Sequence, residues 1–441
     1  MEIADTLIFA GWIVPVLPEG QVLENHAVVI SNGRISAVLP ASEARKITAA
    51  ETVELPDHTL MPGLINCHGH AAMSLLRGFA DDLPLQPWLE NHIWPTESEH
   101  VGPEFVRDGV NLALAEMLRS GTTCFSDMYF FPDVTANCCV EAGMRSQLSF
   151  PVFDFPSAWG KDADDYISKG LALRDDYKHS ELISVVFGPH APYTVAESAL
   201  QSISTLSAEL DLPVHIHLHE TRQEVNDALA VTGQRPLHNL NELGLIGPRT
   251  QCVHMTELST EDITLLAAAG AHVVHCPSSN MKLASGICPV TALHEAGVNV
   301  ALGTDSAASN NRLDLMTEMR SAALLAKTES GDAAALPAAK ALRMATLDGA
   351  TALGKQDELG TLEIGKYADL IAIDLNTPET QPVHNVISQL VYAVSSSQVT
   401  HSWVNGQCLM SERQLQTLNL NTIKSNAAKW RHRIAGAENH D

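Results

Sequence analysis

The sequence predicts a (β/α)₈ barrel inserted into a small antiparallel β-unit, and three observations carry that prediction. Between residues 61 and 350, eight short apolar runs alternate with longer amphipathic stretches. The two ends of the chain instead show β-rich alternation around an Asn-Gly dipeptide. Polar side chains, mostly His or Asp, close run after run. Eight β-then-α units over about 290 residues fit a barrel, with a doubly wound open sheet as the alternative.

In residues 1–60, "AVVISNGRISAVL" (Ala27–Leu39) places Asn32-Gly33 between two β-rich arms, a type I′ hairpin signal. The eight runs follow: "LMPGLINCH", "TTCFSDMY", "RSQLSFPVFD", "LISVVFGPH", "PVHIHLHE", "TQCVHM", "AHVVHCPSS" and "VNVALGTDS". Between them, "EFVRDGVNLALAEMLRSG" and "EDITLLAAAG" read as helices that stop at Gly. From residue 351 to 441, "GKYADLIAIDL" (Gly365–Leu375) reads as a strand and "HSWVNGQCLM" (His401–Met410) as a second Asn-Gly hairpin. A helix is expected near Asn421–Gly436. Residues 1–60 and 351–441 thus form one β-unit, with the 61–350 barrel between its halves.

Composition narrows the function. Lys and Arg number 27 against 52 Asp and Glu, a formal net charge of −25. Such a surface repels phosphate backbones and anionic headgroups, which argues against nucleic acid or a membrane as partner. The N-terminal apolar run lacks a basic n-region, and no run approaches the roughly 18 apolar residues of a membrane helix. The eight Cys are scattered without Cys-x-x-Cys spacing, as suits a reducing cytoplasm. A cytoplasmic protein with a small-molecule partner is expected.

The chemistry starts at "MPGLINCHGHAAMSLLRG", where His68 and His70 stand one residue apart. On a strand, side chains at i and i+2 share a face, so two imidazoles there make a clamp for one cation. Active-site residues of a barrel gather where strands end. Beyond His68 and His70, the runs end in Asp127, His190, the trio His215, His217 and His219, then His254, His275 and Asp305. Of the trio, one or two at most face the site. Asp127 is expected to hold a loop, and His275 is as well explained by loop structure as by chemistry. Three imidazoles and a carboxylate point to one divalent ion, Zn²⁺ ahead of Fe²⁺. A catalytic ion of this kind keeps a position for water, whose pKa falls to about 7.

Taken together, "PGLINCHGHAAMSLLRG", "FGPHAPYT", "HIHLHE", "VHCPSSNMKLASG", "LGTDSAASNNRLDL" and "GKYADLIAIDL" resemble the amidohydrolase superfamily. Within it they resemble the 5′-methylthioadenosine/S-adenosylhomocysteine deaminases, from the first β-segment to beyond residue 400. The resemblance implies a metal-bearing TIM barrel, (β/α)₈, beside a β-sandwich built from both termini. It implies metal ligands His68, His70, His217 and Asp305. His217 is chosen because Glu220 completes His-x-x-Glu, whereas Arg222 stands at that distance from His219. It also implies His254 and Asp305 as water-positioning and proton-accepting groups, and Glu220 as proton shuttle to the purine N1. His190 becomes a contact to the base and Glu97 the group that grips the ribose hydroxyls. A lysine that bridges two metals on strand four elsewhere in the superfamily has no counterpart in "FGPHAPY", so one ion is expected. A homo-oligomer accords with family habit.

One departure bears on substrate. Relatives that accept S-adenosylhomocysteine carry an arginine five residues after "GMR", where this chain has Phe150. An apolar wall there cannot compensate a carboxylate and would cost several kcal/mol to strand one. It suits an S-methyl group, which favours 5′-methylthioadenosine over S-adenosylhomocysteine, with adenosine as a further possible substrate. Guanine deaminases and triazine hydrolases on the same scaffold are the alternatives, and a ribose-binding Glu97 argues against both. A non-catalytic scaffold protein would be expected to have lost ligands, and all four are retained.

Overall fold

The computed structural model describes residues 3–437, so the outermost ends of both terminal segments, residues 1–2 and 438–441, lie outside the described residues. The chain opens with β1 (Ala4–Ile13), β2 (Leu23–Ser31), β3 (Arg34–Pro40) and β4 (Ala49–Pro62). The barrel strands follow as β5 (Leu64–Gly69), β6 (Thr122–Asp127), β7 (Arg145–Val152), β8 (Ile183–Pro189), β9 (Val214–Leu218), β10 (Thr250–His254), β11 (His272–His275) and β12 (Asn299–Leu302). The chain ends with β13 (Leu370–Asp374), β14 (Val399–Val404), β15 (Gln407–Ser411), β16 (Gln414–Leu415) and a helix, Leu420–Ala437.

All eight apolar runs become the eight barrel strands. These pair in chain order and in parallel, from β5 through β12. The seam between β12 and β5 is closed just past the strand end. There Asp305 N–H donates to the His68 carbonyl at 3.0 Å. Below it, Asn66 accepts from Thr304 N–H at 2.9 Å and donates to Thr304 Oγ1 at 2.8 Å. Closure therefore ties the first predicted ligand strand to the last. Leu, Ile and Val from the outward faces of the strands pack with the surrounding helices into one large core.

The terminal strands form a second sheet in the order β16-β15-β14-β13-β4-β1-β2-β3. The two ends of the chain meet where β4 runs antiparallel to β13, Leu60 opposite Ala372. Asn32 and Gly33 have φ of 52° and 73°, and Asn405 and Gly406 have 50° and 74°, so both hairpins turn with two left-handed residues as a type I′ turn requires. The unit is mixed rather than purely antiparallel. A short helix, Ala41–Ala44, returns the chain so that β4 lies parallel to β1. Residue 60 falls inside β4, and residue 351 inside the helix Leu347–Ala352. No helix among the described residues is long and apolar enough to cross a membrane.

Candidate metal centre and pocket

The C-terminal ends of the barrel strands bring the predicted ligands together. His68 sits on β5 and His70 one residue past its end, with ring centroids 4.8 Å apart. His68 Nε2 lies 3.2 Å from His217 Nε2 and 3.3 Å from Asp305 Oδ1, and His70 Nε2 also lies 3.3 Å from Asp305 Oδ1. Two overlapping triads result, His68–His70–Asp305 and His68–His217–His254, each with ligand atoms within 4.8 Å of one another. For tetrahedral coordination with ligand bonds of about 2.0–2.1 Å, ligand atoms should stand roughly 3.3–3.4 Å apart. The three separations match that spacing.

The tautomers agree with this reading. His70 Nδ1–H donates to the Met128 carbonyl at 2.5 Å, and His217 Nδ1–H to the His190 carbonyl at 2.7 Å. A carbonyl only accepts, so in the neutral form of each ring Nε2 is the atom that carries the lone pair. Asp305 has φ +59° and His254 φ +76°, left-handed conformations that cost non-glycine residues of order 1–3 kcal/mol and collect at functional sites. Asp305 is held in place by Ser306 N–H to Oδ1 at 2.8 Å, and by Ser279 Oγ and Ser309 Oγ to Oδ2 at 2.6 and 3.0 Å. Burial pushes its carboxyl up, but the facing imidazoles of His68 and His70 outweigh this and hold it well below the usual range. It is an anion set among nitrogen donors.

Above the ligands a pocket of about 830 Å³ opens to solvent. Its wall is aromatic, with Trp88, Trp94, Tyr129, Phe130, Phe153 and Phe155 among the lining. Glu97, His190, Glu220 and His254 supply polar groups, and no Arg or Lys lines it among the described residues. Burial raises the Glu220 carboxyl, and His254 Nε2 stands 3.8 Å from Glu220 Oε2. Half-buried Glu97 accepts from Tyr129 Oη at 2.6 Å, and desolvation pushes it up to about 7. Burial, with His70 nearby, presses His190 down to about 3, so its ring is neutral. Its Nδ1–H donates at 3.0 Å to Thr194 Oγ1, whose own proton goes to the Ala191 carbonyl, and Nε2 remains an acceptor.

Phe150 is not where its proposed role needs it. The ring is fully buried on the outer face of β7, its centroid 5.0 Å from that of Phe187. It is packed so tightly over helix Ala163–Tyr177 that a Cβ on Gly170 would come within 2.2 Å of it. Strand alternation is the reason: Gln147 points into the barrel, so Phe150, of opposite parity, points out. The pocket wall is made instead by Pro151, Phe153 and Phe155.

Three other strand-end residues lie outside the pocket lining. Asp127 accepts Ala71 N–H at 2.6 Å and so fixes the turn after His70. His219 Nδ1–H donates to the Glu257 carbonyl at 3.0 Å while Nε2 accepts Leu237 N–H at 3.1 Å, so both nitrogens are spent on backbone. His275 is buried and is not part of this pocket's lining, and neither of its ring nitrogens has a hydrogen-bond partner among the described residues. Sequence reasoning missed Glu224, whose carboxylate accepts His219 N–H at 2.9 Å and Glu220 N–H at 2.7 Å and thereby fixes the backbone at Glu220. Its signal was present. Thr221-x-x-Glu224 is a capping-box pattern, and Thr221 Oγ1 accepts Glu224 N–H at 3.2 Å.

Comparison with known proteins adds three findings. The amidohydrolase family model matches residues 59–409. Proteins named 5-methylthioadenosine/S-adenosylhomocysteine deaminase from Teredinibacter turnerae and Saccharophagus degradans are 54% and 52% identical to this chain. Each comparison covers 98% of this chain, and 98% and 97% of the respective relative. A solved structure described as an adenosine deaminase from Xanthomonas campestris with bound zinc superposes with a TM-score of 0.97 at 51% identity, covering 99% of both chains.

Proposed function

This chain belongs to the amidohydrolase family, and from that premise we propose that it is a metal-dependent hydrolase that deaminates 5′-methylthioadenosine to 5′-methylthioinosine and ammonia. S-adenosylhomocysteine and adenosine are secondary substrates in this reading. The observation that carries it is the convergence of His68, His70, His217 and Asp305 beneath a pocket that holds Glu220, Glu97 and His190 together.

One zinc ion on those four residues is the proposed cofactor, ahead of iron, and when bound it supplies the Lewis acidity that lets water ionise near neutral pH. The rest falls to the chain's own side chains. His254 and Asp305 orient the attacking water and take its proton as its oxygen adds to C6 of the adenine. Glu220, whose carboxyl burial shifts upward from its ordinary range and so towards the proton-donating form, protonates N1 so that the ring accepts electron density. The proton taken from water then leaves with the amine as the C6–N bond breaks and ammonia departs, and the C6 hydroxyl proton returns to Glu220 as the carbonyl forms. General acid–base assistance of this kind is worth about 10²–10⁴ in rate. The bare Nε2 of His190 accepts an N–H of the base, and Glu97 receives the ribose hydroxyls. The relatives' names support the nucleoside class. The absence of a lining cation among the described residues supports the S-methyl substituent over a carboxylate-bearing one.

The test is a purine-absorbance and ammonia assay on 5′-methylthioadenosine, S-adenosylhomocysteine and adenosine, with Glu220→Gln alongside. Methylthioadenosine should give the highest kcat/KM, and the variant should keep its zinc while losing at least about 10²-fold in kcat. S-adenosylhomocysteine as best substrate overturns the preference, near-normal turnover by the variant overturns the shuttle, and inertness towards all three overturns the reaction.

A further inference from the structure

His70 and His217 rest their Nδ1–H groups on backbone carbonyls, but His68 does not. Its Nδ1 lies 2.8 Å from Nε2 of His215, the two rings stacked at 5.1 Å with planes 20° apart. His215 stands two residues before His217 on β9, on the same inward face. Its Nδ1 lies 2.6 Å from Gln251 Oε1 on β10, and Gln251 Nε2 donates to Gln147 Oε1 on β7 at 2.9 Å. Gln147 Nε2 donates in turn to the Leu353 carbonyl at 3.4 Å, and Ser126 Oγ to Gln147 Oε1 at 3.5 Å. Every side chain in this chain of bonds is at most 2% exposed, so water does not compete for it.

The polarity of the whole chain is dictated from its far end. The Leu353 carbonyl can only accept, so Gln147 must present its amide nitrogen there and its oxygen to Gln251. Gln251 then presents oxygen to His215, which must carry its proton on Nδ1 and leave Nε2 bare. His68 can satisfy that lone pair only by protonating Nδ1, which leaves its Nε2 unprotonated beside Asp305 and His217. Reversing any link would set two lone pairs or two N–H groups against each other in a buried site, where an unmade hydrogen bond is costly.

We propose that His215 is a positioning residue, the acceptor that fixes the tautomer and orientation of His68 for zinc through a polar chain crossing the barrel interior to Leu353. The inference rests on the four-residue metal site proposed above, but not on the reaction assigned to it.

The test is zinc retention by purified holoenzyme under chelator competition, with unfolding of the metal-free protein followed in parallel. His215→Leu removes the acceptor and should weaken zinc binding roughly 10–100-fold, the usual scale for a lost outer-shell partner. His215→Gln, whose amide oxygen and nitrogen reproduce acceptor and donor, should restore most of it. Gln251→Leu keeps both imidazoles but unlocks the tautomer, and it should also weaken retention; it serves if His215→Leu does not fold. Wild-type retention by His215→Leu or Gln251→Leu overturns the proposal, as does equal weakening by His215→Gln and His215→Leu, which would mark a packing role. A wild-type protein that takes up no zinc defeats the metal site instead, and one that binds zinc but deaminates nothing defeats the reaction and leaves this result readable.

Discussion

At the scale of single residues, the ribose role proposed for Glu97 is what would separate a nucleoside hydrolase from relatives that act on flat, sugarless rings. Its carboxylate is half-buried and already accepts the Tyr129 hydroxyl. Hydrogen bonds to charged groups contribute about 1.5–3 kcal/mol, so Glu97→Gln should lower kcat/KM for adenosine by roughly 10–100-fold. The same substitution should leave the reaction with free adenine unchanged, because adenine has no ribose for it to grip. Equal losses on nucleoside and base would remove the ribose role and reopen the guanine and triazine alternatives. The residues that proved legible in the sequence announced themselves locally. His68 and His70 are two apart on a strand, His217 has Glu220 three on, and Asp305 closes the last run. Phe150 was misplaced because its side depends on strand phase, although Gln147 and Ser149, polar and buried, mark the inward parity of that strand. Tyr129 and Ser279 were not read, and His215 was named only as one of a trio without a role, because their partners lie 32, 26 and 147 residues away along the chain.

At the scale of elements, the placement of the first ligand pair depends on one close approach. The 3₁₀ turn Ala71–Leu76 follows directly on His70, and helix Pro103–Ser120 lies across it with Gly109 at the crossing. A Cβ at Gly109 would stand 2.2 Å from the Ala72 carbonyl oxygen. Backbone meets backbone there, so no side-chain rotation relieves the clash. Gly109→Ala should destabilise the fold by about 1–3 kcal/mol, the cost of overpacking, and weaken zinc retention with it, because the turn carries the end of the ligand strand. Gly247→Ala, with nothing within 4 Å of the added carbon, is the control and should change neither. Calorimetry and the same chelator competition check both, and loss of stability without loss of metal would uncouple turn from site. Helix Pro103–Ser120 itself was legible from its apolar stripe and terminal Gly121. What it packs on was not, since a glycine in a helix looks the same in sequence whether it meets solvent or a carbonyl.

At the scale of the whole molecule, both ends of the barrel carry stability. At the pocket end it depends on pH, through the loops that follow β11 and β12. Glu318, 1% exposed, accepts Ser278 N–H at 3.0 Å and Asn310 Nδ2 at 2.9 Å, and burial pushes its carboxyl from 4.5 up to about 7. The folded state therefore keeps a proton that the unfolded chain releases above pH 4.5. The stabilisation is full below that pH and is lost as pH rises through 7, roughly 3 kcal/mol in all at about 1.4 kcal/mol per unit. Denaturant titrations of Glu318→Gln between pH 5 and 8 should show a flatter fall than wild type, and an unchanged slope would refute the assignment. The joint between barrel and terminal sheet carries stability at the other end. Arg145 begins β7 at the end away from the pocket and holds Asp369 through two bonds of 2.8 and 3.1 Å, both side chains 4% exposed. Its guanidinium also stacks over Tyr367 at 4.4 Å, opposite Arg34 at 3.9 Å. Arg145→Met leaves a carboxylate buried without its cation and should cost about 3–5 kcal/mol, whereas Arg145→Met with Asp369→Leu should recover much of it, because the stranded charge rather than the lost attraction dominates the penalty. Neither variant should alter kcat/KM in the folded fraction. If the double variant is destabilised by the sum of its parts, the pair is held by attraction instead, and if catalysis falls with stability, the two ends of the barrel are coupled through its strands.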